Sequence, residues 1–139
     1  MQGTLDGRGI IVTGAGGGIG RAASLIFAQA GACVVVSDVD ATNGEETVHQ
    51  IYAQGCTAMF VKTDITNEAS VAALVKQTVS AYGKLDGAFN NAGIAPSHKP
   101  LHDIGVAEWQ RVVDVDLTGA FLCMKHEIAA MLERAAVRL

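Results

Sequence analysis

A run of glycines follows a short apolar segment near the N-terminus. Residues 10–20 have the sequence Ile-Ile-Val-Thr-Gly-Ala-Gly-Gly-Gly-Ile-Gly. A strand that turns through glycines into a helix exposes backbone N–H groups without intrahelical partners, and these attract a pyrophosphate. The pattern T-G-x-x-x-G-I-G fits this stretch, whereas G-x-G-x-x-G fails because an isoleucine occupies its third glycine position. The residues predicted to form this dinucleotide-binding turn are Gly14, Gly16, Gly18, Ile19 and Gly20.

A carboxylate is placed to select between two dinucleotides. Asp38 stands eighteen residues after Gly20, at the end of the second apolar run, where it can accept hydrogen bonds from both adenosine ribose hydroxyls. Two like charges about 4 Å apart repel by about 4 kcal/mol at an effective dielectric of about 20. The neighbours Ser37 and Val39 bring no cation, and the glycine turn holds no Arg or Lys. The sequence therefore predicts NAD rather than NADP, the alternative being a solvated turn aspartate.

Apolar bursts alternate with segments of helical period along the whole chain, which is typical of an α/β protein. Strands are predicted over residues 9–13, 32–37, 57–61 and 85–90. Helices are predicted over residues 18–30, 41–54, 67–82 and 106–134, the last one bent near residues 117–119. Right-handed crossovers then give a Rossmann-type doubly wound parallel sheet of order 3-2-1-4 within three α/β/α layers. Thr13, Asp38, Asp64 and Asn91 are all expected at the carboxyl edge of this sheet.

Composition narrows the possible partners. Half of the 139 residues are hydrophobic and 17% are charged, which suits one compact domain. A net charge of −4 with scattered Lys and Arg argues against nucleic acid as a partner.

No apolar stretch reaches the roughly 18 residues of a membrane span, and the N-terminus lacks a basic segment followed by an apolar one, so we expect a cytoplasmic protein. Three separated cysteines indicate reduced thiols. His98 and His102 flank Pro100 without an obvious third ligand, so we expect no metal site.

Further motifs follow the glycine turn and Asp38 in a fixed order. They are Asp64-Ile65, Asn90-Asn91-Ala92-Gly93, and Trp109 leading to Asp116-Leu117-Thr118-Gly119. With these motifs the chain resembles the short-chain dehydrogenase/reductase family from about Leu5 to Glu133. The resemblance implies an oxidoreductase that transfers hydride between the nicotinamide of NAD and an alcohol or carbonyl substrate. It also implies that Asp64 and Ile65 face the adenine, while Asn91, Ala92 and Gly93 support the sheet and border the adenosine ribose.

Two departures from the family pattern bear on catalysis. Asp116 stands where the family usually has an Asn of a proton relay, and an ionised carboxylate accepts hydrogen bonds without donating any, so Asp116 is a weak candidate catalytic residue. The family also uses a Ser and a Tyr-x-x-x-Lys pair, whereas Tyr52 and Tyr82 are followed four residues later by Cys56 and Asp86. Residues 1–139 are therefore predicted to form a single, incomplete NAD(P)-binding Rossmann domain.

Three interpretations remain open at this point. The chain represents an NAD-dependent short-chain oxidoreductase, a non-catalytic module that binds NAD, or a truncated fragment. A sheet that stops at its fourth strand has an open apolar edge, which invites pairing with another chain. In the family, the helix that corresponds to residues 106–134 commonly lies in a subunit interface. We therefore expect a homo-oligomer such as a homodimer, the alternative being a marginally stable monomer that tends to associate.

Overall fold

The computed structural model describes residues 3–137. Four parallel strands form one sheet of order β3-β2-β1-β4, with β1 at Gly9–Thr13, β2 at Cys33–Asp38, β3 at Ala58–Lys62 and β4 at Gly87–Phe89. The helices are α1 at Gly18–Gln29, α2 at Ala41–Ala53, α3 at Glu68–Tyr82, α4 at Val106–Val112 and α5 at Ala120–Val137. Leu101–Asp103 form one 3-10 turn. The predicted Rossmann-type order and α/β class are confirmed.

The central strands are buried on both faces, as their near-continuous β-branched sequence predicts. On one face of β1 and β2, Ile10, Val12, Val34 and Val36 pack against residues of α1 and α2. On the other face, Ile11 and Val35 pack with Leu74 and Val75 of α3. Because alternate residues of a strand point to opposite faces, a two-sided core requires helices on both sides of the sheet.

The register of the sheet aligns the strand ends that carry the polar residues. Thr13 at the end of β1 lies opposite Ser37 of β2, and Asp38 pairs with Lys62 of β3. Strand β4 is shorter than predicted, and the Asp86 side chain before it accepts a hydrogen bond from the Gly9 amide at 2.8 Å. The carboxyl ends of all four strands open at one edge of the sheet.

Short polar side chains begin the two helices that follow β2 and β3. Asp40 accepts from the Asn43 amide at 3.0 Å to cap α2, and Asn67 accepts from the Ser70 amide at 3.1 Å to cap α3. Such caps each stabilise a helix by about 1 kcal/mol. The N-cap of α1 is Gly17, which has no side chain to satisfy the first N–H groups of that helix.

The last helical region differs from its prediction. We predicted one helix over residues 106–134 with a bend near residues 117–119, and instead a π-helical segment at Val113–Gly119 joins α4 to α5. Gly119 lies against Ile65, so closely that a Cβ on Gly119 would come within 2.7 Å of Ile65 Cδ1. Such π segments insert into α-helices without ending them, often next to functional sites.

Gly44 of α2 packs directly on the Phe60 ring of β3. A Cβ at residue 44 would overlap that ring, because the helix backbone lies directly against it. We expect Gly44→Ala to lower the free energy of unfolding by about 1–3 kcal/mol through overpacking, although alanine favours helix. Urea unfolding followed by circular dichroism measures this, with Glu45→Ala on the exposed face of α2 as the control. Equal stability of Gly44→Ala and the unmodified protein would contradict the close packing.

Candidate functional site

An open crevice of about 580 Å³ lies at the carboxyl edge of the sheet. Every strand contributes to its wall through the residues that follow it. Of the predicted binding residues, those that line the crevice are Gly14, Asp38, Asp64, Ile65, Asn91, Ala92 and Gly93. The crevice has the size of a small-molecule site and the position in which open α/β sheets bind ligands.

The glycine turn owes its shape to the absence of side chains. Gly14 and Gly18 have φ angles of +62° and +51°, a region that other residues rarely adopt. A Cβ on Gly16 would lie 2.8 Å from Asp38 Oδ2, and one on Gly20 would overlap the Gly14 carbonyl and approach Asn91 Nδ2 to 2.6 Å. The turn therefore brings backbone close to backbone, and it leaves the first turn of α1 open to an anion.

Asn91 holds this turn from the neighbouring strand end. Its Nδ2 group donates to the carbonyl oxygens of Thr13 and Gly14 at 3.1 and 3.2 Å, and the Ala92 amide donates to Thr13 Oγ1 at 3.1 Å. These contacts join the segment after β4 to the segment after β1. Two loops at one edge of the sheet thereby behave as a single wall of the crevice.

Backbone amides fix the orientation of the Asp38 carboxylate. Oδ2 accepts from the Gly16 amide at 2.8 Å and Oδ1 accepts from the Asp40 amide at 2.9 Å. Each carboxylate oxygen has two lone pairs, so further donors can still bind. Asp38 is half-buried at the rim of the crevice, where a hydroxyl-bearing ligand can reach it.

Arg21 brings a positive charge to the glycine turn that the sequence argument did not anticipate. Its guanidinium donates to the carbonyl oxygens of Gly16 and Asn43 at 2.6 and 3.1 Å, and to Thr47 Oγ1 at 2.9 Å. Thr47 Oγ1 in turn donates to the Ala15 carbonyl at 2.7 Å. Arg21 therefore ties the turn to α2 and places a cation beside the turn, although the turn itself contains no Arg or Lys.

The segment after β3 forms the opposite wall. Ile65 is buried, whereas Asp64 is exposed and its Oδ1 atom accepts from the Thr66 amide and hydroxyl at 3.0 and 2.7 Å. The Asp64 amide receives a further anchor, because it donates to Ser70 Oγ at 3.0 Å. Hydrogen bonds within this segment therefore hold Asp64 at the crevice.

Five of the predicted residues do not line the crevice, namely Gly16, Gly18, Ile19, Gly20 and Asp116. Asp116 lies in the exposed part of the π-helical segment, and its Oδ1 atom accepts from the Ile94 amide at 2.8 Å. Ile19 is 73% exposed at the start of α1. Asp116 therefore contacts the backbone of residue 94, which itself lines the crevice.

Neither tyrosine is near the crevice. Tyr82 packs against the apolar cluster around Ile11 and Val35, and burial raises the pKa of its hydroxyl. Tyr52 is 55% exposed on α2. The tyrosines are therefore placed to pack or to face solvent, and neither can exchange a proton with a ligand in the crevice.

Several residues of the crevice were not predicted from the sequence. They are Gly17, Ser37, Val39, Thr63, Thr66, Arg111, Asp114 and Val115. Most are chain neighbours of predicted residues, so extending each motif by one position would have found them. Arg111 and Asp114 belong to the helical region after the fourth strand, and no local pattern in the sequence points them at the sheet edge.

Glu127 of α5 is buried, although a glutamate on a helix ordinarily faces solvent. It is only 3% exposed, and its Oε2 atom accepts from Asn90 Nδ2 at 2.8 Å. Burial raises the pKa of Glu127, and the hydrogen bond from Asn90 opposes that rise. Cys123, one turn earlier, is buried as well, and desolvation raises the pKa of its thiol to about 12.

Within residues 3–137, no three His, Cys, Asp or Glu side chains come together as metal ligands. Over the same range, no helix combines the length and the apolar character that crossing a membrane requires.

Comparison with known proteins identifies close similarity over nearly the whole chain. A family model described as short chain dehydrogenase matches residues 8–138. A 2,5-dichloro-2,5-cyclohexadiene-1,4-diol dehydrogenase of Sphingobium indicum is 45% identical over 130 residues, which are 94% of this chain and 51% of that protein. A cis-4-hydroxycyclohexanecarboxylate dehydrogenase of Sinomonas cyclohexanicum is 44% identical over 121 residues, 87% of this chain and 48% of that protein.

A solved structure shares the fold. The crystal structure of NAD⁺-bound xylitol dehydrogenase superimposes with a TM-score of 0.91 at 31% identity, covering 94% of this chain and 50% of that one. The chain thus spans about half the length of the relatives it matches.

Proposed function

The chain belongs to the short-chain dehydrogenase family, and from that premise we propose that its crevice binds NAD. The observation that carries this proposal is the glycine turn before α1. A side chain has no space at Gly16 or Gly20. The N-terminus of α1 has no side-chain cap, so its first backbone N–H groups are free to bind a diphosphate. The residues present therefore suit a dinucleotide.

Asp38 is the proposed selector of NAD over NADP. Two backbone amides already orient its carboxylate toward the place where the adenosine ribose would lie, with lone pairs remaining for the two ribose hydroxyls. A 2′-phosphate would bring like charge to the same place. Arg21 offsets part of this repulsion in principle, but three neighbouring oxygen atoms already engage its guanidinium.

The other proposed contacts follow the walls of the crevice. Asp64 and Ile65 would border the adenine, and Asn91, Ala92 and Gly93 would border the ribose. Bound NAD supplies the hydride acceptor for the oxidation of an alcohol. Asp116 would shape the crevice through the Ile94 amide, because a carboxylate with no proton to give is poorly suited to a relay.

The activity proposed for the whole protein is the NAD-dependent oxidation of a secondary alcohol, or the reverse reduction of the carbonyl. Two relatives are named as dehydrogenases of six-membered ring alcohols, which supports a ring-borne hydroxyl as the substrate group. Such a reaction needs a proton acceptor in line with the substrate oxygen. The residues around this crevice supply the dinucleotide half of that chemistry.

A second candidate function is dinucleotide binding without turnover by this chain alone. It is favoured by the location of the two tyrosines, one packed in the core and the other on the outer surface of α2. Under this interpretation, residues 1–139 bind NAD as a module.

Calorimetric titration with NAD and NADP, followed by a dehydrogenase assay with a panel of cyclic secondary alcohols, tests both functions. We expect NAD binding that is stronger than NADP binding. Binding with turnover supports the oxidoreductase, and binding without turnover supports the module. No binding of either dinucleotide would refute both.

We also propose that the protein is cytoplasmic and self-associates. Strand β4 lies at the edge of the sheet. The helical region after it exposes several large apolar side chains, namely Val106, Trp109, Leu117, Phe121, Met124, Ile128 and Leu132. An apolar stripe of this kind supports burial against a second copy of the chain. Sedimentation velocity across a range of protein concentrations tests this, and a monomer at every concentration would refute self-association.

A further inference from the structure

Two buried oxygen atoms on one pair of side chains lack a hydrogen-bond partner. Asn90 Nδ2 donates to Glu127 Oε2, but Asn90 Oδ1 and Glu127 Oε1 receive no donor from any described residue. Both atoms are acceptors when Glu127 is ionised, so neither can satisfy the other. Unpartnered polar atoms in a protein interior are rare and costly.

A single proton on Glu127 resolves both deficits. With Oε1 protonated, the carboxyl group can donate to Asn90 Oδ1 while Oε2 still accepts from Asn90 Nδ2. An acid and an amide joined in this way form a ring of two hydrogen bonds, and no charge is buried. Desolvation favours the same state, since burial raises the pKa of Glu127.

The surrounding ionisable groups do not oppose the neutral form. Cys123 on the same helix remains a thiol, because its pKa is raised to about 12. Lys125 and His126 both contact Glu68 of α3, at 2.6 and 3.0 Å. On the β4 side, Asp86 contacts Arg134, Arg8 and Lys84. No ion pair to Glu127 occurs within residues 3–137.

The pair lies one residue away from the wall of the crevice. Asn90 directly precedes Asn91, whose amide group holds the carbonyl oxygens of Thr13 and Gly14. We propose that Glu127 is a positioning residue for the dinucleotide site, which as an uncharged acid paired with Asn90 fixes Asn91 against the glycine turn. This inference rests on the proposed NAD binding. Ionisation of Glu127 breaks one of the two hydrogen bonds and loosens that attachment.

The first test needs no ligand and compares the 139-residue chain with Glu127→Gln. Glutamine preserves both hydrogen bonds and carries no proton to lose. A carboxyl whose folded pKa is raised stabilises the protein fully below its unfolded pKa of about 4.3, and this contribution is lost as the pH rises through the folded pKa. The unfolding equilibrium constant of the unmodified chain should therefore increase relative to that of Glu127→Gln, by up to about tenfold per pH unit in that window.

The matched control is Glu133→Gln, which changes an exposed glutamate on the same helix. Its unfolding equilibrium constant should depend on pH as that of the unmodified chain does. Infrared difference spectra against Glu127→Gln provide a second readout, in which a protonated carboxyl C=O band is expected below the folded pKa. If the stabilities of the unmodified chain and Glu127→Gln depend on pH in the same way, and the protonated carboxyl band is absent, then Glu127 is not an uncharged acid paired with Asn90.

The second test measures NAD affinity across the same pH range. We expect the affinity of the unmodified chain to weaken as Glu127 ionises, relative to that of Glu127→Gln. Glu127→Ala, which leaves Asn90 unpaired, should bind NAD about tenfold more weakly at every pH, the equivalent of one lost hydrogen bond. If the NAD affinities of the unmodified chain and Glu127→Gln depend on pH in the same way while their stabilities diverge, Glu127 does not position the dinucleotide site. Absence of NAD binding in every variant would instead refute the proposed function, while the stability test would still report on the pair.

Discussion

Gly20→Ala is expected to weaken NAD binding by about a hundredfold or more. The added Cβ would overlap the Gly14 carbonyl and approach Asn91 Nδ2 to 2.6 Å, so the turn and its attachment must move apart. Displacing even two charge-assisted hydrogen bonds to a diphosphate costs about 3 kcal/mol or more, which corresponds to that loss of affinity. Calorimetry measures the affinity, and circular dichroism verifies that the variant folds.

Gly105→Ala is the control for this substitution. Gly105 precedes α4 with an ordinary backbone conformation, and nothing lies within 4 Å of the position that its Cβ would take. It should therefore bind NAD as the unmodified chain does. A Gly20→Ala variant that folds and retains full affinity would mean that the glycine turn does not receive the diphosphate.

Asp38→Ala is expected to remove most of the preference for NAD over NADP. A repulsion of about 4 kcal/mol between the carboxylate and a 2′-phosphate corresponds to a preference of about a thousandfold, so losing the charge should bring the two affinities to within about tenfold. NAD binding itself should weaken, since the ribose hydroxyls lose their acceptor. The measured quantity is the ratio of the two dissociation constants at constant ionic strength.

Asp40→Asn provides a charge-matched comparison two residues away. Asp40 is exposed, and asparagine can still cap α2 through its side-chain oxygen. This variant should keep the preference for NAD, because residue 40 does not line the crevice. Equal preference ratios in Asp38→Ala and in the unmodified chain would exclude Asp38 as the selector.

The sheet and its polar edge were predictable because the determining signals are local. Strand β1 occupies Gly9–Thr13 as predicted, and its ending at the glycine turn follows from a change of residue type within a few positions. Strand order also followed, since right-handed crossovers leave few arrangements for four parallel strands. Asp38 and Asn91 reach one crevice because the carboxyl ends of parallel strands share an edge.

The features that were missed depend on contacts between distant parts of the chain. Helical periodicity cannot tell that Glu127 faces Asn90, thirty-seven residues earlier, because a glutamate is ordinarily placed on a solvated face. Arg21 was overlooked for the same reason, as its partners lie on the preceding turn and on α2. The π-helical segment at Val113–Gly119 ends where Gly119 contacts Ile65, a residue more than fifty positions earlier in the chain.

The proposed binding site is tested most directly by following the backbone amide resonances of ¹⁵N-labelled protein during titration with NAD. We expect the largest shifts on residues 14–20, on Asp38 and on residues 91–93. Residues of the open groove between α3 and α5, such as Val79 and Ala130, should stay unperturbed. Shifts confined to that groove, or none at saturating NAD, would contradict the assignment of the crevice to a dinucleotide.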